Sequence, residues 1–354
     1  MRPLIVRLPN WVGDVVMALP ALERLTAAGF APRLVGRRWA AALLAGHPWP
    51  VTPLPAGLRE RVAALRRLRA GVQDGGGHHP SGHHPSDRRG DRRVDTLLLT
   101  NSLSSALEAR LAGLRPLGYR QDGRGWLLTR AIAPPPLPLH ESQRFDRLAA
   151  ALCDADLPGR AIESTSRADR PTPATIEPTP PRLRVSDAAA SQAAVLLAAH
   201  GLATDRPYAA IVPFATGTLG GVGKAWPEFP AFAADLAARL PVIVVPGPAE
   251  AAQARRDYPS ARTLEDVDLG VYAALLQRAA VVVANDTGPG HVAAAVGAPT
   301  VSVLGPTDAA RYRALGPRAT RIQAVPWPDR AAVAAAVAAI LAATSARDGE
   351  RPSR

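Results

Sequence analysis

Residues 281–306, VVVANDTGPGHVAAAVGAPTVSVLGP, leave this chain few folds to choose from. Val281 to Ala284 is an apolar run of strand length, Asn285 to Gly290 carries turn chemistry, and His291 to Val296 reads as a helix that Gly297 ends and Pro299 keeps ended. Thr300 to Leu304 then re-enters a sheet. A helix that opens straight after Asp286-Thr287-Gly288 offers free backbone N–H groups and the positive end of its dipole to an anion. Asp286 reads equally as a plain helix N-cap that bonds the first-turn amides.

The amino terminus repeats the pattern. Leu4 to Val6 is an apolar strand, Asn10 and Gly13 lie in a loop, and an amphipathic helix runs from about Asp14 to Leu25, which puts Asp14 at a helix start. Loops at the carboxyl ends of parallel strands line the ligand crevice, so Asp14 and Asp286 are candidates for one cleft, contributed by two halves of the chain. Strand-like runs at Leu97–Thr100, Tyr208–Val212 and Val242–Val245 alternate with helical Ala/Leu/Arg segments, the βα pattern of a parallel sheet. At 354 residues, 47% apolar and 20% charged, the chain is globular and suits two domains. Aromatics make up only 5%, so the expected cores are mostly Ala, Leu and Val.

Composition marks the boundaries. The Pro-, Ser- and Thr-rich stretch from residue 158 reads as a linker over 158–185, between a domain at 1–157 and a domain at 186–328. Helix is expected to resume near Ser186, a final helix spans 329–344, and 345–354 is a frayed tail. Residues 71–95, rich in Gly, Pro and charge, read as a disordered insertion. Its His78, His79, His83 and His84 form a tract that binds metals adventitiously, and no functional metal site is expected there.

Five segments carry a resemblance: NWVGD at 10–14, NSLSSALEARLAG at 101–113, GYRQDGR at 118–124, KAWPEFPAF at 224–232, and DTGPGH with GPTD within 286–308. In this order, across roughly residues 1–330, they make the chain resemble the lipopolysaccharide core heptosyltransferases of glycosyltransferase family 9, nearer the heptosyltransferase II branch than heptosyltransferase I. The resemblance implies an α/β fold of GT-B architecture: two Rossmann-like parallel-sheet domains facing across a cleft, with acceptor on the first, ADP-sugar on the second, and the last helix crossing back onto the first. It implies an inverting transfer of heptose from ADP-heptose to an inner-core acceptor. Asp14 would be the general base. Lys224, Asp286, Thr287 and Gly288, with Thr216 and Gly217, would hold the diphosphate, Glu250 the ribose, and His291 a phosphate or the donor sugar. Asn10, Gly13, Asn101, Ser102, Arg120 and Arg124 would serve the acceptor. No cofactor is implied, ADP-sugar being a substrate. No DxD dyad stands among further oxygen ligands, so metal independence is expected. The chain departs from the family's usual pattern at Phe214, at Ala225 and at Pro289-Gly290, the last suggesting a looser or differently shaped donor pocket.

Several residues also read on their own terms. Lys224 is the only lysine in a chain with 42 Lys and Arg together, and a compact ammonium differs from a guanidinium where a phosphate must be met. It follows glycines 217, 220, 221 and 223, a loop able to bring amides to a diphosphate. Glu250 reads alternatively as a helix-terminal acid, His291 as a core histidine, Arg120 and Arg124 as solvated arginines, and Asp308 as structural. A net charge of +12 suits nucleic acid, anionic lipid or phosphorylated sugar, and no nucleic-acid signature is present. No stretch of about 18 apolar residues exists to span a bilayer. Leu4 to Val6 is too short for a signal core, and the single Cys153 excludes an internal disulfide. A cytoplasmic monomer is expected, meeting a lipid-anchored acceptor at the inner face of the inner membrane by peripheral contact. Two other functions fit: a GT-B transferase for another nucleotide sugar or acceptor, and a catalytically silent binder of nucleotide sugar or glycan.

Overall fold

The computed structural model describes residues 1–73, 95–136, 138–155, 177–202, 206–215, 217–219 and 221–349. In chain order the first half holds β1 (Arg2–Arg7), α1 (Val12–Met17), α2 (Leu19–Ala27), β2 (Phe30–Gly36), α3 (Trp39–Leu43), β3 (Val51–Pro53), α4 (Leu58–Gln73), β4 (Thr96–Leu98), α5 (Leu103–Leu111), β5 (Pro116–Tyr119), β6 (Arg130–Ile132) and α6 (Glu141–Ala155). The second holds α7 (Asp187–Ala199), β7 (Ala209–Val212), β8 (Thr218–Leu219), β9 (Val222–Gly223), α8 (Phe229–Ala237), β10 (Val242–Val244), α9 (Ala251–Asp257), β11 (Arg262–Thr263) and α10 (Leu269–Arg278). It continues with β12 (Val281–Asn285), α11 (Gly288–Ala295), β13 (Thr300–Leu304), α12 (Ala309–Tyr312), β14 (Ala319–Gln323) and α13 (Arg330–Gly349).

Two compact units result. One comprises the described residues of Met1–Asn10, Met17–Ala41 and Pro48–Thr179; the other comprises those of Trp11–Val16, Ala42–His47 and Pro180–Arg354. The first unit is built on a six-stranded sheet in the order β3-β2-β1-β4-β5-β6, parallel throughout. Its central strand buries Leu4, Ile5 and Val6, and one of its cores gathers Ile5, Val35, Leu65, Leu98, Leu114 and Leu127 without an aromatic ring. A strand covered on both faces must be apolar along its length, which is why these runs were readable in advance.

The second unit repeats the topology in the order β11-β10-β7-β12-β13-β14, again parallel. Its core departs from the aliphatic expectation. Trp226, Phe229, Phe232 and Tyr258 pack together with Phe214 at ring separations from 5.6 to 6.4 Å, mostly edge to face, so this core gathers a cluster of rings. The last helix, α13, packs on β12, β13 and β14, with Val333 and Val337 in this second core, and it runs to Gly349, into the segment expected to fray. Among the described residues no helix is long and apolar enough to cross a membrane.

Helix starts differ from the reading of the sequence for a local reason. The helix expected over 14–25 begins at Val12 and is interrupted at Ala18, where Pro20 in the opening turn of α2 cannot donate a backbone bond. Ser186 caps α7 by accepting from Ala189 N at 3.3 Å, as its position before an Ala-rich run suggested. Of the insertion expected over 71–95, residues 71–73 prolong α4 and 74–94, with the four histidines, lie outside the described residues. In the stretch read as a linker, residues 177–185 form neither helix nor strand, and 158–176 lie outside the described residues.

Candidate functional site

In each sheet the chain reverses its direction of winding once, between β1 and β4 in the first and between β7 and β12 in the second. Connections leaving such neighbouring strands diverge, and the gap beyond their carboxyl ends is where α/β folds receive ligands. Asn10 follows β1 and Asn101-Ser102 follow β4; Gly217 and Lys224 follow β7, and Asp286 to Gly288 follow β12. Topology thus collects most of the expected site residues at the two switch points.

At the second switch point β12 ends on Asn285, a residue the sequence had offered only as turn chemistry. Buried Asn285 donates from Nδ2 to Pro213 O at 2.5 Å and accepts at Oδ1 from Trp226 N at 3.2 Å. It ties down both ends of the segment that carries Lys224. Within that segment β8 and β9 pair antiparallel, and Lys224 N donates to Gly217 O. The loop expected to lend its amides to a diphosphate therefore spends part of them on a hairpin. Thr216, expected to bind donor, lies outside the described residues.

Beyond Asn285, α11 opens three residues earlier than expected, at Gly288. Thr287 is its N-cap residue, not Asp286, and makes no side-chain cap bond. Thr287 Oγ1 is buried without a partner among the described residues. A buried hydroxyl costs free energy unless something bonds it, so an orphan at the positive end of a helix marks a place for an acceptor-rich ligand. Pro289 and Gly290 do not loosen this turn: Pro289 sits where a helix needs no N–H, and a Cβ on Gly290 would stand 3.1 Å from Asn285 O.

Asp286 accepts at Oδ2 from Thr307 Oγ1 at 2.9 Å, with Oδ1 4.0 Å from His291 Nε2. Burial pushes its carboxyl above the usual range, while the Thr307 bond and the Lys224 ammonium oppose that shift. Burial brings His291 down to about 4, so the ring is neutral near pH 7 and its approach to Asp286 is no ion pair there. Helix α1, carrying Asp14 in its first turn, belongs by its contacts to this same unit. A Cβ on Gly288 would lie 2.8 Å from Val12 Cβ and 3.1 Å from Gly13 N, and one on Gly13 would lie 3.1 Å from His291 Cδ2. The openings of α1 and α11 meet backbone to backbone, closer than any side chain allows. Glu250 precedes α9 without capping it; its Oε2 accepts from Gly247 N at 2.8 Å. Asp308 caps α12 by accepting from Ala310 N at 3.1 Å, a structural task.

The first switch point is knitted differently. Asn10 Oδ1 accepts from Arg7 at 2.9 Å. Ser102 caps α5 by accepting from Ser105 N at 3.3 Å, and Ser105 Oγ also bonds Thr100 Oγ1 at 2.8 Å. Arg124, read either as an acceptor contact or as a solvated arginine, is neither. It is 0% exposed, and its guanidinium donates to Tyr119 O at 2.9 Å, Thr100 O at 2.6 Å, Ser102 O at 3.4 Å and Asn101 Oδ1 at 3.3 Å. Burial lowers its pKa to about 10, which leaves it charged at neutrality. Arg124 positions the Asn101-Ser102 loop from behind. Arg120 is exposed at the end of β5.

Residues 92–335 match the model of the family described as Glycosyltransferase family 9 (heptosyltransferase). Among solved structures, E. coli ADP-heptose LPS heptosyltransferase II is similar at 21% identity over 98% of this chain and 100% of that one, with a TM-score of 0.72. The glycosyl transferase family 9 protein of Veillonella parvula DSM 2008 gives 16%, 91%, 86% and 0.69, and E. coli heptosyltransferase WaaC with ADP gives 21%, 96%, 100% and 0.64. These likenesses carry the fold, an α/β chain with the two parallel sheets of the GT-B class. No curated protein matches the chain by sequence.

Proposed function

The chain belongs to glycosyltransferase family 9, the heptosyltransferases, and is a glycosyltransferase; from that premise we propose that it moves heptose from ADP-heptose to the inner core of a lipopolysaccharide acceptor, with inversion and without a metal. The observation that carries the donor side is the orphaned Thr287 hydroxyl at the mouth of α11, beside Asp286 and within electrostatic reach of Lys224. A diphosphate supplies the acceptor oxygens that this hydroxyl lacks, and Lys224 with the helix dipole meets its charge. Glu250 accepts from the ribose hydroxyls and His291 flanks the donor sugar as a neutral ring.

In the transfer, Asp14 takes the proton of an acceptor hydroxyl as that oxygen attacks the anomeric carbon from the face opposite the diphosphate. The bond from that carbon to the diphosphate oxygen breaks in the same displacement, the centre inverts, and the charge arriving on ADP is received by Lys224, Thr287 and the start of α11. Asn10, Asn101, Ser102 and Arg120 line the acceptor's approach, with Gly13 allowing the close meeting of α1 and α11 beside it; Arg124 serves them by position. The acceptor is lipid-anchored in this reading.

Calorimetric titration with ADP, ADP-heptose, UDP and UDP-glucose, all in EDTA, tests the proposal. Selective binding of the two ADP ligands is expected. Selective binding of the UDP ligands would replace heptose by another nucleotide sugar, and binding of none would favour a catalytically silent fold.

A further inference from the structure

Helix α5 is built inside out. Its inward residues are Ser105, Ala106, Glu108 and Ala109, all buried, and Glu108 is held in an ion pair with Arg61 at 2.9 Å. Outward, beside Ser104 and Arg110, it shows three leucines: Leu103 is 47% exposed, Leu107 36% and Leu111 47%. Spaced four apart, they form one stripe along the helix. A single exposed leucine is ordinary, but a helix that buries its small and acidic residues and shows its leucines presents a surface made for contact.

Two further features adjoin the stripe. The 3-10 turn Gly125–Leu127 packs against α5 and carries Trp126, which is 77% exposed. Arginines rim the patch: Arg110 is exposed on α5 itself, Arg66 donates to Leu111 O at 2.9 Å, and Arg120 lies against Gly125 next to Trp126. The one acid of α5 is turned inward. Leucines in a row, a tryptophan at the margin and guanidinium groups around them match the boundary between acyl chains and anionic headgroups. A second copy of the chain would press arginine against arginine, so self-association through this face is disfavoured.

We propose that the outward face of α5, with Trp126 and the arginines around it, docks the protein on an anionic lipid bilayer. The stripe begins at Leu103, directly after the Ser102 cap at the first switch point, so lipid contact and the Asn101-Ser102 loop are joined without an intervening residue. The proposal rests on this face alone; its link to transfer rests on the lipid-anchored acceptor of the preceding reading.

Flotation of the full chain with vesicles of phosphatidylcholine, with and without phosphatidylglycerol, is the test. Binding is expected only with phosphatidylglycerol and weakens as salt rises. The triple variant Leu103→Gln, Leu107→Gln, Leu111→Gln should bind at least about tenfold more weakly, and Trp126→Ser should weaken binding by a smaller factor. Both variants should keep the parent's ADP titration, because none of the side chains changed belongs to the donor site, and Trp126→Ser, changed at a 77% exposed position, should also keep the unfolding midpoint. A triple variant that floats like the parent, or a parent indifferent to phosphatidylglycerol, overturns the proposal. So does a concentration-dependent dimer that the triple variant abolishes, which would give the face to a second copy. Loss of ADP binding in the parent would count against the donor assignment and leave the vesicle result to stand by itself.

Discussion

The gap beyond β1 and β4 and the gap beyond β7 and β12 arise from the same strand order, yet they differ in how their polar groups are used. Beyond β4, hydroxyls, an amide and a guanidinium are turned on one another: Arg124 alone reaches three carbonyls and the Asn101 side chain. Beyond β12, Thr287 keeps a buried hydroxyl without a partner, Asp286 carries a carboxyl raised by burial, and Asn285 spends its amide on holding the opposite loop. The wall beyond β4 is closely knit and firm, although Arg7 Nε at the end of β1 is also buried without a partner among the described residues; the second gap holds its orphan hydroxyl at a helix mouth until something enters it. A firm wall suits recognition of a large saccharide by outline. An unfinished site suits a small, highly charged group whose binding completes it.

The largest effect should come from Asp14, which the chain contributes from its first βα connection but whose helix groups with the second unit. Asp14→Asn is expected to lower turnover by about two to four orders of magnitude with ADP affinity unchanged within a few-fold, read from initial rates and calorimetry. Unchanged turnover would separate Asp14 from the chemistry and confine function to the second gap alone. Next, Arg124→Ala should cost about 3 kcal/mol in denaturant unfolding, because several buried carbonyls lose one donor together, and Arg124→Lys should not restore it. A loss near zero would mean the first gap is less firmly knit than its bonds imply.

Acid should tell the two gaps apart as well. His291 is held at about 4 in the fold against an ordinary 6.5, so the unfolded chain binds more protons between those values. Its contribution is whole above pH 6.5 and is lost as pH falls toward 4, at most about 3 kcal/mol. His47, lowered to about 4 by burial and by Arg184, acts in the same sense, and Asp286 acts oppositely, costing stability as pH rises above 3.8. Arg7 and Arg124, both near 10, stay charged throughout that window. Unfolding of His291→Gln followed from pH 7 to pH 4 should therefore show a shallower loss than the parent. The smallest effect is the sharpest contrast: Ser102→Ala should cost about 1 kcal/mol of stability and leave ADP affinity alone. Thr287→Ala should cost almost no stability and weaken ADP. Equal behaviour of the pair would dissolve the distinction between the gaps.

What was legible in the sequence follows the range of the forces involved. Runs such as Val281 to Ala284 and Leu4 to Val6 declared themselves because strands covered on both faces have only one composition available. Helix starts were misjudged at Val12 and Gly288 because Pro and Gly serve both turns and first helical turns, and only the packing decides. Asn285 could not be picked out, since its partners lie 59 and 72 residues away. Arg124 was misplaced because charge argues for solvent unless several carbonyls converge, and their convergence is a property of the sheet. The leucines of α5 posed the reverse problem: helical spacing ordinarily marks a core face, and nothing local says that this stripe points outward.

Lys224, half-buried just past β9, is the single lysine of the molecule. Beyond the α-amino group, an acylating reagent therefore has one amine to find. If Lys224 meets the diphosphate as proposed, modification at that side-chain nitrogen would titrate the donor site, slowed in proportion to whatever occupies it. The protein's preference for arginine everywhere else has left it with a built-in reporter.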